Sequence, residues 1–160
     1  MFPISHFNIT RTPFYYYDKT LLSNTLAKLI RLAGERNYHV HYAVKANANP
    51  EILKLIAASG IGADCVSGGE IKAALEAGFP AKKIVFAGVG KADWEIEYAL
   101  EKKIFCFNVE SAEELSVIEE LAKKKENIAS IALRINPNID AHTHEYITCL
   151  LYTSPSPRDS

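Results

Sequence analysis

Five apolar runs, each ending where a helical pattern begins, constrain this chain more than any other feature. They read HVHYAV, GIGADCV, KIVFAG, IFCFNV and ASIALRI, set roughly twenty residues or slightly more apart. Each is rich in Val, Ile, Phe or Tyr and lacks clean polar alternation, as expected of parallel strands covered on both faces. A strand, a helix and a further strand at that spacing form a βα repeat, which implies a parallel sheet with right-handed crossovers.

The helices between the runs have readable ends. Asn49 caps a helix that has Pro50 at its first position and Gly60 beyond its last turn. Ser67 to Glu70 and Ser111 to Glu114 are both S-x-x-E capping boxes, in which hydroxyl and carboxylate satisfy amides that the first turn leaves free. Gly78 and Pro80 close the first of these helices, and Leu115, Ile118, Leu121 and Ala122 place one face of the second in the core. An earlier helix, Thr20 to Ala33, offers Leu22, Leu26, Leu29, Ile30 and Ala33 as its buried stripe.

Two architectures share this alternation, a closed (β/α)8 barrel and an open doubly wound sheet. No dinucleotide glycine fingerprint follows the first strand, which favours the barrel. Five strands do not close one, so the expectation is an α/β fold, a partial (β/α)8 barrel. The segment RTPFYYYD before the first helix reads as a further extended piece that need not belong to the barrel. CLLYTSPSPRDS, residues 149–160, has Ser and Pro but no periodicity and reads as a tail outside the fold.

Composition narrows the partners. Of 160 residues 48% are apolar, enough for a globular core, and 18 basic and 19 acidic residues are interspersed to a net charge of -1. No one-signed field favours nucleic acid or an anionic membrane, so a small molecule is the expected ligand. Cys65, Cys106 and Cys149 form no C-x-x-C pair and suit neither a disulfide framework nor a zinc site, which fits a reduced cytoplasm. No export signal or membrane span is expected.

In parallel α/β folds the ligand lies beyond the carboxyl ends of the strands. Lys45 follows the first run, Asp64 closes the second, Gly88 and Gly90 follow the third, Asn108 the fourth, and Arg134 lies near the end of the fifth. On position alone each is most simply a solvated strand-end residue. Lys45 is the sharpest, since an amine set against apolar residues and another cation loses stabilisation of its charged form and becomes a nucleophile toward aldehydes. Trp94 and Tyr98 are expected on a helix, covering the sheet.

FYYYD, YAVKANANP, GADCVSGGE, IVFAGVGKADWEIE, NVES and LRINPNIDAHTHEYIT, in this order, closely resemble the diaminopimelate decarboxylases, pyridoxal-phosphate enzymes of the alanine-racemase-like fold group. The likeness runs from Phe2 to Thr148, and YAVKAN followed by DCVSGGE is far more specific than a lone glycine motif. It implies a barrel domain with pyridoxal 5'-phosphate on Lys45, Asp64 beside that linkage, and Arg134 near the cofactor's phenolic oxygen. It also implies a second, β-rich domain that takes up residues 12–17, and a homodimer of the full-length protein. The reaction implied is decarboxylation of meso-diaminopimelate to lysine; an ornithine or arginine decarboxylase and a non-catalytic cofactor carrier are the alternatives. The remaining barrel strands and site residues of the family do not follow Thr148, so this chain by itself is expected to be inactive. Glu70 is accounted for by its capping box, and Asp140, His142 and His144 are read as loop residues rather than metal ligands.

Overall fold

The computed structural model describes residues 4–135. After a single helical turn, α1 (Ile4–Phe7), come α2 (Lys19–Gly34), β1 (His41–Ala43), α3 (Pro50–Ala58), β2 (Gly62–Cys65) and α4 (Gly68–Ala77). They are followed by β3 (Ile84–Phe86), α5 (Asp93–Lys102), β4 (Cys106–Val109), α6 (Ala112–Lys124) and β5 (Ile131–Leu133). The strands are shorter than the apolar runs that announced them, because the outer residues of each run turn away into the loops.

All four strand pairings are parallel, and the five strands lie in the order β1-β2-β3-β4-β5. An open doubly wound sheet reverses its strand order at a switch point. This sheet has no reversal, and α3, α4, α5 and α6 pack each against the next. The described residues are therefore a length of barrel wall with its helices on one side. The helix-facing row of Ala63, Cys65, Ile84, Phe86, Phe107 and Val109 joins one core with Leu53, Ile56, Ile71, Ile96 and Ile118. Phe86 and Phe107 meet within it at 6.1 Å between ring centroids, tilted 45°.

Register fixes the opposite face. Ala43 pairs with Asp64, Asp64 with Val85, and Val85 with Cys106, so these four stand side by side on the concave face. Asn108 and its partner Ala132 lie one side-chain layer higher on that face. All of β5 is exposed, unlike the other strands, because it stands last in the sheet order and pairs only with β4 among the described residues.

The helix ends follow the sequence. Asn49 accepts from the amides of Glu51 and Ile52, Ser67 from Glu70 and Ser111 from Glu114, while Gly78 leaves α4 at φ 100°. Helix α2 differs in one detail: Leu29 is exposed, and Leu26 and Ala33 carry the burial with Leu22 and Ile30 partly covered. Trp94 also departs from expectation. It does not cover the sheet but stands 63% exposed in the first turn of α5, its ring next to Gly68, whereas Tyr98 packs on the core. The segment 12–17 bends at Thr12 and Pro13 and forms neither helix nor strand, so none of it pairs with a strand among the described residues. The tail 149–160, with Cys149, and the group Asp140, His142 and His144 lie outside those residues. Among the described residues no helix is long and apolar enough to cross a membrane, and no cluster of metal-ligating side chains occurs.

Gly62 makes the amino-terminal end of β2 possible. A Cβ there would collide with the His41 ring and lie 2.5 Å from the Lys83 carbonyl oxygen. Gly62→Ala is expected to destabilise the chain by about 1–3 kcal/mol through overpacking. Denaturant melts of the two proteins check this, and equal midpoints would show that the strand ends can yield.

Candidate functional site

The site begins where β1 stops. Beyond Ala43 the chain leaves the sheet for one tight turn, Val44–Ala46, anchored by the fully buried Val44. The Asn47 amide donates to the Val44 carbonyl at 3.1 Å, and the Tyr42 hydroxyl donates to the Asn47 carbonyl at 3.2 Å. Asn47 Oδ1 in turn accepts from the Asn49 amide at 2.9 Å, and Asn49 caps α3. The asparagines after the lysine thus bend the backbone sharply into the next helix. Lys45, in the middle of this turn, is exposed rather than set into apolar surroundings as expected.

Asp64 faces it from the next strand. It is half-buried on the concave face among Ala43, Val85 and Cys106, and its Oδ1 is buried with no hydrogen-bond partner. Burial drives its carboxyl above the usual carboxylate range, against the opposing pull of Lys45, His41 and Arg134. Lys45 follows β1 and Arg134 follows β5, and every strand between them runs parallel to its neighbour. Lys45, Asp64 and Arg134 are therefore brought to one end of one parallel sheet. An unsatisfied buried carboxylate oxygen is costly unless a donor meets it. A ligand carrying an N–H beside Lys45 would supply that donor.

Arg134 is the first residue past β5, and its amide extends the ladder to the Val109 carbonyl at 2.8 Å. Its guanidinium donates to Glu110 Oε2 at 3.0 Å, and Glu110 Oε1 accepts from the Gly88 amide at 3.1 Å. The Glu110 amide donates to Glu114 Oε2 at 2.9 Å. Glu114 Oε1 meets Lys91 Nζ, which also donates to the carbonyls of Gly88 and Asn108 at 2.7 and 2.9 Å and lies 5.3 Å from the Phe86 ring centroid. The Lys91 side chain is only 1% exposed and that of Glu110 only 3%. Buried charges persist only when paired and hydrogen-bonded, and here each one is.

The sequence reading missed Lys91 and Glu110 and took Glu114 for a cap alone. A signal existed, since Lys91 and Glu110 both follow strands at their carboxyl ends. It is masked because a lysine or glutamate just past a strand is ordinarily solvated, and only the fold leaves these two side chains almost unexposed. Glu70 does cap, with its Oε2 accepting from the Val66 amide at 2.8 Å. Glu95 links neighbouring repeats, accepting from the amides of Ala92 and Gly68.

Neither described cysteine competes with Lys45 as a nucleophile. Burial pushes the Cys65 thiol up to about 12, with Glu70 and Asp64 adding to the effect, and burial raises Cys106 as well. In the folded chain both should resist alkylation.

A length of parallel barrel wall whose rim presents a lysine, a desolvated carboxyl and an arginine defines a class of α/β-barrel domains able to hold a carbonyl-bearing anionic cofactor. Sequence comparison places the chain within that class. The family description "pyridoxal-dependent decarboxylase, pyridoxal binding domain" matches residues 23–152, and the chain belongs to this family. It is 62% identical over 149 residues, 92% of its length, to diaminopimelate decarboxylase of Bacteroides thetaiotaomicron, covering 39% of that protein. It is also 49% identical over 142 residues to the enzyme of the same name from Helicobacter pylori strain J99, covering 35% of it. The chain thus spans well under half the length of these relatives. Among solved structures, diaminopimelate decarboxylase from Helicobacter pylori complexed with L-lysine superposes with a TM-score of 0.77 at 45% identity, over 89% of this chain and 36% of that one. The M. jannaschii enzyme in co-complex with L-lysine gives 0.84 at 36% identity, over 98% and 38%. The alternation read as a partial barrel, and the resemblance carried by its motifs, are borne out.

The raised Asp64 carboxyl has a stability consequence with a definite sign. Below the ordinary carboxylate value the group is protonated in both states and costs nothing; as pH rises through its higher folded value the buried charge forms and stability is lost. Asp64→Asn should therefore raise the thermal midpoint at neutral pH, and the gain should vanish as the pH is lowered below the carboxylate range. Thermal melts across that range check it; a gain that does not depend on pH would contradict the assignment.

Proposed function

We propose that this domain binds pyridoxal 5'-phosphate through Lys45 and serves a protein that decarboxylates meso-diaminopimelate to L-lysine. The observation that carries the reading is the buried, unpartnered Asp64 Oδ1 at the same carboxyl rim as the exposed Lys45. The residues fit such a cofactor. Lys45 Nζ is exposed and placed to react with an aldehyde, Asp64 Oδ1 can accept a donor hydrogen from the bound group, and Arg134 offers a cation that does not lose its proton. When bound, the cofactor supplies an electron sink for the pair left behind as carbon dioxide departs.

The chain's own residues have three tasks in this scheme. Lys45 Nζ would hold the cofactor and could carry a proton at the rim. Asp64, partly desolvated, would hold a proton more readily than a solvated carboxylate and so is matched to a group that ionises nearby. Arg134 would stabilise negative charge on the bound group. Asp64 and Arg134 act by placing charge in a partly desolvated rim, where it acts more strongly than in water.

Diaminopimelate is favoured over other basic amino acids by the 62% and 49% identical relatives of that name. A viral arginine decarboxylase shares the fold at 24% identity, which supports the architecture alone.

Cofactor and substrate can be tested separately. The chain is incubated with pyridoxal phosphate, reduced with borohydride and peptide-mapped, and the expected result is a pyridoxyl label on Lys45 that is absent from Lys45→Ala. A label spread over surface lysines, unchanged in the variant, would remove Lys45 from this role. For the substrate, the gene product at its full natural length is assayed with meso-diaminopimelate, ornithine and arginine. Lysine formation from the first, at a rate far above product from the others, is expected; the reverse preference would transfer the assignment to an ornithine or arginine decarboxylase.

A further inference from the structure

Four ionised side chains, Lys91, Glu114, Glu110 and Arg134, form a connected series along the rim, and only its last member faces the site. We propose that Glu110 is a positioning residue that holds the Arg134 guanidinium toward Asp64 and the cofactor, and that Lys91 and Glu114 fix Glu110 in turn. This rests on the cofactor reading above and extends it to three residues that act through Arg134.

The geometry makes the series directional. Both Glu110 oxygens are engaged, one by the Gly88 amide and one by Arg134, so its carboxylate has one orientation. Its backbone is pinned by Glu114, and Glu114 is pinned by the buried Lys91, which closes on two carbonyls of the β3 and β4 ends. At the other end the restraint is looser. The Arg134 side chain is 40% exposed, and among the described residues Glu110 is the one acceptor bonded to its guanidinium. A guanidinium has five donors. Glu110 therefore aims the group while leaving donors available, and the charge it aims already reaches Asp64. A tie that merely joined β4 to β5 would not need a nearly unexposed carboxylate, since the strands are already paired through Phe107, Asn108 and Val109. Desolvation makes the arrangement costly, and a costly, fully satisfied network is suited to holding one geometry.

The test is a double-mutant cycle in the full 160-residue chain, using Glu110→Gln, Arg134→Met and the two together. Glu110→Gln keeps the shape of the side chain and removes its charge. Pyridoxal phosphate affinity is read by titration, alongside the borohydride-trapped label on Lys45 and a thermal melt. Each single change is expected to weaken the cofactor by about tenfold. The double variant should bind no more weakly than Arg134→Met alone, because Glu110 has nothing left to position. Unchanged affinity in Glu110→Gln, or independent losses that multiply in the double variant, would overturn the proposal and leave Glu110 a structural residue. A second readout needs no cofactor: hydrogen exchange at the Arg134 guanidinium should quicken in Glu110→Gln, and unchanged exchange would equally overturn it. Should the unaltered chain capture no cofactor, the reading of the preceding section fails, and the exchange measurement still decides whether Glu110 holds Arg134. Lys91→Met should reproduce the Glu110→Gln effects. It strands a buried Glu114 and can unfold the chain, so the decision is made on the isosteric variant.

Discussion

Parallel pairing between strands that are neighbours in sequence places every carboxyl end on the same rim, and the candidate site depends on that single constraint. Lys45, Asp64, Glu110 and Arg134 come from four different strand ends, separated by as many as 89 residues from Lys45 to Arg134. No local interaction could gather them. The helices make the pairing possible by burying the convex face of the sheet, where Phe86 and Phe107 meet the isoleucines of α4, α5 and α6. A hydrophobic core on one side thus creates a polar rim at one end.

Carboxylates organise the rim. Glu70, Glu95, Glu110 and Glu114 each accept a backbone amide near the start of a helix or just past the end of a strand. Helix starts carry free amides and a partial positive charge, so acids there are stabilising in their own right. Glu95 and Glu110 reach beyond their own repeat, to Gly68 and Gly88, and so bind adjacent βα units together. Capping and site construction are in this way the same set of interactions. Asp64 is the exception: it has an unpartnered oxygen and a raised pKa, and so costs stability where the glutamates add it. Such a local conflict with the rules of folding is expected at a functional position.

Much was legible from residues 39–135 alone. The βα rhythm gave the parallel sheet, and S-x-x-E and N-P gave helix starts at Asn49, Ser67 and Ser111. These succeed because they are local or periodic: a cap is closed within three residues, and a buried strand shows itself in its own composition. What failed was each inference that needed a neighbour's position. Leu29 fits its helix stripe yet finds no cover, Trp94 packs on a backbone edge instead of the sheet, and β5 is as apolar as its neighbours yet wholly exposed.

Sequence by itself determined the alternation, the helix caps and, through long specific motifs, the family, since each is written in residue types at fixed spacing. Only the tertiary structure decided between a barrel wall and a doubly wound sheet, because strand order is a property of pairing and not of any strand. It alone placed Lys45 in the open and left Asp64 Oδ1 without a partner. It alone joined Lys91 through Glu114 and Glu110 to Arg134, 43 residues along the chain. The physical reason is the same throughout: burial and charge pairing depend on what folding brings alongside a residue, which its own stretch of sequence does not record.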